Sequence, residues 1–169
     1  MKIFKLERTQ ELPISLEKAW AFFSDPLNLS QITPPALGLR MKGSMDGSMY
    51  NGRIIEYTVK PLLGIEVTWI SEIKHVVEQY SFVDEQRSGP YKFWYHLHLF
   101  RPIGREKVEI VDVVHYALPL GPLAQFLNDL IVKIKLEEIF KYRKEVLEDR
   151  FPHKNKFGAA VKKAFTVVK

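Results

Sequence analysis

The 169-residue chain contains no cysteine. Disulfides, zinc ribbons and thiol chemistry are therefore excluded, and a reducing compartment is permitted. It also lacks a membrane-length apolar run. The most apolar window, residues 116–132, is interrupted by Pro119, Pro122, Asn128 and Asp129, and so makes a poor span. The opening MKIFKLERTQEL alternates polar with apolar residues and has no apolar segment of the kind a secretory signal requires. A soluble, cytoplasmic protein is expected. Other signatures are missing too. No GxSxG, no HExxH and no GxxxxGK[ST] occur, and the Gly-rich stretch from Gly43 to Gly52 precedes no helix. That stretch reads as a mobile loop or a lid, with Met41, Met45 and Met49 as possible entrance or packing residues.

Hydrophobic residues make up 46% and charged residues 27%, a globular composition with enough apolar mass for a single core. The net charge is +5 but it is unevenly spread. Residues 150–169 hold six Lys or Arg and no acid, so the first 149 sum to −1. The body does not look like a nucleic-acid binder, and no DNA partner is expected. The tail has Phe157, Val161, Ala164/Phe165 and Val168 at helical spacing among lysines. It reads either as a segment that packs on its own domain or on a neighbouring copy or is partly disordered, or as one that contacts an anionic membrane, RNA, a ribosome or another partner.

Along the chain, residues 2–12 alternate as a strand does. Ser15 then caps a short helix carrying Leu16, Ala19/Trp20 and Phe23, and PLNLSQI forms a second short helix that stops at Thr33-Pro34-Pro35. Six strands are expected next: 37–42, 53–60, 65–77, 79–87, 92–101 and 106–118. Their separators are residues 43–52, Pro61–Gly64, Ser88-Gly89-Pro90 and Pro102–Arg105. From Gly121 a helix of about 28 residues follows, with Leu123, Leu127, Leu130, Ile134, Ile139/Phe140 and Leu147 as its apolar stripe. The fold class is thus α+β, a seven-stranded antiparallel sheet with the C-terminal helix as its lid. A domain over 1–149 and a basic extension over 150–169 are the expected organisation.

Three stretches, SLEKAWAFFSDPLNLSQITPP, FVDEQRSGPYKFWYHLHLF and VDVVHYALPLGPLA, together with this element order, resemble the START-like superfamily. It is also called Bet v 1-like or SRPBCC. The resemblance covers residues 1–149 and is greatest to its bacterial polyketide cyclase/dehydrase-like subgroup, loosely labelled cell-division inhibitor. It implies a helix-grip fold, in which a curved sheet wraps the long helix around a cavity. It does not imply a reaction, because the superfamily includes carriers, cyclases, oxygenase domains and ribosome-binding proteins.

Hydrophobicity alone would bury Phe93, Tyr95, Leu97 and Leu99. The resemblance instead turns Trp94, His96, His98 and Phe100 toward the cavity. Two hairpin registers are possible: Arg101 opposite Lys107, which sets His96 against Asp112, or a slip of two, which sets His98 against Asp112. The expected wall is Tyr57, Trp69, Phe82, Asp84, Gln86, Trp94, His96, His98, Phe100, Asp112 and Tyr116, with Phe126 and Leu130 from the helix. Four roles are open to His96, His98 and Asp112: an internal polar pair, an anchor for a ligand's head group, acid–base groups, or metal ligands. Without a spacing signature no metal and no cofactor are expected. The late-helix Arg143 and Lys144 are read as complements to the helix dipole. Arg87 and Arg101 are read as surface residues.

The expected function is binding of a small hydrophobic or amphipathic molecule (lipid, quinone or polyketide-like) by a monomer or weak dimer. A cyclase or aldolase type of enzyme, with His96 or His98 as base and Tyr116 as proton donor, is one rival. A protein that docks through its basic tail is the other.

Overall fold

The structure is a computed structural model that describes residues 1–43, 49–61, 64–119 and 121–153. Met45 and the apolar positions of the tail lie outside the described residues. Seven strands run in the order β1 (Phe4–Leu12), β2 (Arg40–Met41), β3 (Ile54–Val59), β4 (Val67–Val77), β5 (Ser81–Ser88), β6 (Phe93–Gly104) and β7 (Lys107–Ala117). They form one antiparallel sheet with spatial order β1-β7-β6-β5-β4-β3-β2. Only the β1–β7 pairing brings together the two ends of the strand series. Register shifts between β4 and β5 mark irregularities, and His75 within one of them has a φ of 50°. Such bulges bend a strand and increase its twist, which helps the sheet curl.

Between β1 and β2 lies α1 (Leu16–Phe23), followed by 3-10 segments Pro26–Ile32 and Pro35–Leu37. The Ser15 hydroxyl accepts a hydrogen bond from the Lys18 amide at 3.3 Å, as an N-cap does. Helix α1 buries Ala19, Phe22 and Phe23, while Trp20 sets its ring edge against Phe82 and Phe100. These aromatics seat the helix on the sheet.

The β6–β7 hairpin corrects the expected loop. Both strands extend to a tight turn at Arg105-Glu106, so Arg101 faces Glu109 and His98 faces Asp112. The register with Arg101 against Lys107 would oppose like charges. The observed one pairs Arg101 with Glu109 at 3.2 Å, the favourable cross-strand choice. The other strand boundaries differ by a few residues, and the expected strand 37–42 shrinks to Arg40–Met41 because Pro35–Leu37 form a 3-10 turn.

The C-terminal helix is the larger correction. It starts as a 3-10 turn at Gly121–Leu123 and continues as α2 (Ala124–Leu127). It widens into a π-helical turn at Asn128–Val132 and finishes as α3 (Lys133–Arg150). Its inward side carries Ala124, Asn128, Val132, Leu136, Phe140, Arg143 and Leu147, all buried. Of the expected stripe, Phe140 and Leu147 are buried and Leu127 and Ile139 are half-buried against the core. Leu123, Phe126, Leu130 and Ile134 are 63%, 64%, 55% and 48% exposed. A wider π turn lets residues four apart stay in line longer than an α-helix allows. The row 124-128-132-136-140 therefore stays on the sheet side. No helix of the described residues is long and apolar enough to cross a membrane.

Candidate functional site

Strand β6 turns Trp94, His96, His98 and Phe100 inward, and all four are buried. Its pleat sets Phe93, Tyr95, Leu97 and Leu99 half-buried on the outer side. The register sets Asp84 of β5 directly across from His96 and Asp112 of β7 across from His98. Arg143 descends onto this group from α3. It is only 7% exposed, far from the helix-end role expected for it.

One oxygen, Asp112 Oδ1, gathers three nitrogens. His96 Nε2 lies at 2.9 Å in hydrogen-bond geometry. His98 Nδ1 is at 2.8 Å, yet it is not aligned to make a hydrogen bond. Arg143 Nη1 is at 3.5 Å. Burial works against the Asp112 carboxylate, but His96, His98 and Arg143 together outweigh it and hold its pKa well below the usual carboxylate range. His96 moves the other way. Burial, and then the charge on His98, depress it to about 3 against the pull of Asp112, so its ring is neutral at ordinary pH. Asp84 is raised by burial, which the Ser71 hydroxyl and the charges of His98 and Arg143 only partly offset.

Above this polar floor lies a cavity of about 170 Å³ between the sheet and the helix. Tyr57, Trp69, Tyr91 and Trp94 form its aromatic side, with Val132, Leu136, Ile139 and Phe140 from the helix opposite. Asp84, His96, His98 and Arg143 form its polar end. The Trp69 and Trp94 rings meet edge to face at 5.2 Å. A second chamber of about 50 Å³ lies toward α1 and shares Leu29, Tyr57, Asp84, His98 and Arg143 with the first. Its space suits a few waters at roughly 10–15 Å³ each.

Of the expected wall, Tyr57, Trp69, Asp84, Trp94, His96 and His98 line the main cavity, and Phe82 lines the smaller one. Five residues with this expectation do not reach the main cavity, apart from Asp112, which lies behind the histidines. Phe126 and Leu130 point to solvent, because the register of the helix carries them to the side opposite Asn128 and Val132. Gln86 is spent on the backbone of Tyr91, donating to its carbonyl at 2.7 Å and accepting from its amide at 3.2 Å. Phe100 is fully buried against Trp20, Phe23 and Phe82. The Tyr116 hydroxyl donates to Asn128 Oδ1 at 2.6 Å, and burial raises its pKa to about 12. It is a packed anchor for the helix and does not line the cavity. Sequence reasoning missed Arg143. The available signal was an arginine eleven residues after Val132 and three after Phe140, in line with buried positions once the helix register is known.

No protein-family model matches the chain, and no curated protein matches it in sequence. Solved structures match in shape. A START superfamily protein from Mycobacterium smegmatis superimposes with a TM-score of 0.65 at 16% identity, covering 87% of this chain and 96% of that one. The Zhui aromatase/cyclase from Streptomyces sp. R1128 gives 0.64 at 12% identity, over 87% and 95%. This is the helix-grip fold of START-like proteins. Norcoclaurine synthase from Thalictrum flavum, in complex with dopamine and hydroxybenzaldehyde, shares it too, with a TM-score of 0.60 at 14% identity over 88% of both chains. At these identities the likeness speaks for the helix-grip architecture and not for an activity.

Proposed function

We propose that this helix-grip chain binds a small amphipathic molecule, about one aromatic ring in size, with the ring against Trp69 and Trp94 and the polar group toward Asp84 and Arg143. One observation carries this. Among the described residues, five buried side-chain polar atoms have no hydrogen-bond partner, and four of them belong to residues lining the main cavity: Asp84 Oδ1, Trp94 Nε1, His98 Nδ1 and Arg143 Nε. Buried polar groups are almost always satisfied, so a cavity holding four such atoms is suited to a guest with donors and acceptors of its own. The size limits that guest. A cavity of about 150 Å³ accepts benzene, so 170 Å³ favours ring-bearing members of the lipid, quinone or polyketide-like class over long-chain lipids. The single-ring compounds held by the norcoclaurine synthase of the same fold agree in scale.

The test is titration of tryptophan fluorescence with 4-hydroxybenzaldehyde, phenylacetate, dopamine and palmitate, alongside mass spectrometry of what copurifies with the native protein. Saturable binding of a ring compound is expected, and it should be abolished in a folded Leu136→Trp variant whose added ring fills the space. Palmitate binding alone, or no organic guest in either assay, would refute the reading. Asp84 favours acid–base chemistry as a second reading, since its raised carboxyl lines the cavity. Turnover of any bound ring aldehyde that falls ~10²-fold or more in Asp84→Asn would support it.

A further inference from the structure

We infer that His96, His98 and Asp112 form a binding site for a divalent transition-metal ion, with open coordination positions on the cavity side. The ligand atoms lie within 4.8 Å of one another, and all three residues are buried. The 2.8 Å approach of His98 Nδ1 to Asp112 Oδ1 lacks hydrogen-bond alignment. Two polar atoms that come so close without pointing at each other are arranged as neighbouring ligands of one ion are. With bonds of about 2.0–2.2 Å, cis ligand atoms stand on the order of 3.0–3.4 Å apart. The 2.9 Å and 2.8 Å approaches to Asp112 need a slight opening, and the two ring nitrogens, within 4.8 Å of each other, would settle to the same spacing on binding the ion. Two imidazoles and a carboxylate suit zinc, iron(II) or cobalt(II) rather than magnesium or calcium.

The surroundings agree with that donor set. His96 and His98 line the cavity and Asp112 lies behind them, so the protein supplies three ligands on one side and the cavity supplies the open side, as in reactive metal centres. Arg143, at 3.5 Å from the same carboxylate oxygen, is an outer partner of the kind that ligating carboxylates keep. This inference stands apart from the ligand reading, since the ion needs no organic guest to bind.

The experiment uses the full chain, stripped with chelator and then titrated with Co²⁺ and Zn²⁺ without any organic compound. One ion per chain is expected, bound tighter than roughly 10 μM, and X-ray absorption of the cobalt form should show imidazole ligands. The chain has five histidines. The triple variant His75→Asn, His115→Gln, His153→Gln leaves only the cavity pair and should bind as the parent does. His96→Gln should weaken binding at least ~100-fold, with circular dichroism checking that it is folded. Absence of binding in the parent, or its loss in the triple variant, would overturn the site. Repeating the fluorescence titration in chelator separates the two ideas. Ring binding that persists there keeps the ligand reading whatever the metal does.

Discussion

The two halves of the C-terminal helix treat polarity in opposite ways. From Gly121 to Val132 the bulky Leu123, Phe126 and Leu130 face water while Asn128 is buried in line with Val132. From Lys133 to Arg150, Phe140 and Leu147 are buried as expected and Leu136 joins them, but so is Arg143. What decides the inward residue in both halves is the partner waiting on the sheet. The buried Tyr116 hydroxyl needs an acceptor and takes Asn128, and the buried Asp112 carboxylate needs a cation and takes Arg143. Burial of an unpaired polar group costs more than exposure of a leucine does.

The largest effect should come from breaking the second half. Arg143→Leu leaves Asp112 with the histidines alone, and removing one partner of a buried ion pair costs about 3–5 kcal/mol. Urea denaturation should show a loss of that size. A variant as stable as the parent would mean that Arg143 is not part of the buried network.

This contrast also explains what the sequence could and could not tell. The strand series was legible because β4 alternates cleanly, and the separators carry Gly and Pro, at Pro61 and Gly64 and at Gly89-Pro90. Inward placement of His96 and His98 came from the resemblance, since hydrophobicity favoured the opposite face of β6. The register of β6 on β7 remained open between two choices that the cross-strand pair Arg101–Glu109 separates. The helix face was misread for a physical reason. An apolar stripe assigned at 3.6 residues per turn cannot anticipate a 3-10 start and a π turn, and it scores Asn128 and Arg143 as outward by type. The candidate site was therefore half legible: the sheet residues were, the helix residue that completes them was not.

Acid should expose the polar floor next. His96 has a folded pKa of about 3 against an ordinary 6.5. The unfolded chain thus takes up its proton below about 6.5 and the folded chain does not. The associated stability is present above pH 6.5 and is lost as pH falls toward 3. Asp112, also held low, adds a loss of the same sign at lower pH. Asp84 is raised, so its contribution is present at low pH and lost as pH rises, which opposes the trend. With chelator present, stability should fall by on the order of a few kcal/mol between pH 6.5 and 4, and His96→Gln should flatten that slope. An unchanged slope would place the titrating group elsewhere.

In the first half of the helix, Asn128→Leu should cost about 1–3 kcal/mol, because the Tyr116 hydroxyl would be left buried without its acceptor. The companion Tyr116→Phe, Asn128→Leu pair removes both polar groups and should recover part of the loss. Lack of recovery in this double-mutant cycle would show that the Tyr116–Asn128 bond is not what holds Asn128 inward.

The smallest effect is the sharpest check on the helix register. Phe126→Ser and Leu130→Ser change residues that were expected in the cavity wall and that the π-turned helix puts in water. At 64% and 55% exposure neither can lose much burial, so each should alter stability by less than about 0.5 kcal/mol and leave ring binding unchanged. Leu136→Ala, two positions beyond Ile134 on the buried row, should by contrast cost about 2–5 kcal/mol. If the serine variants were destabilised as strongly as Leu136→Ala, the helix would be rotated from the position described, and Arg143 would no longer reach Asp112.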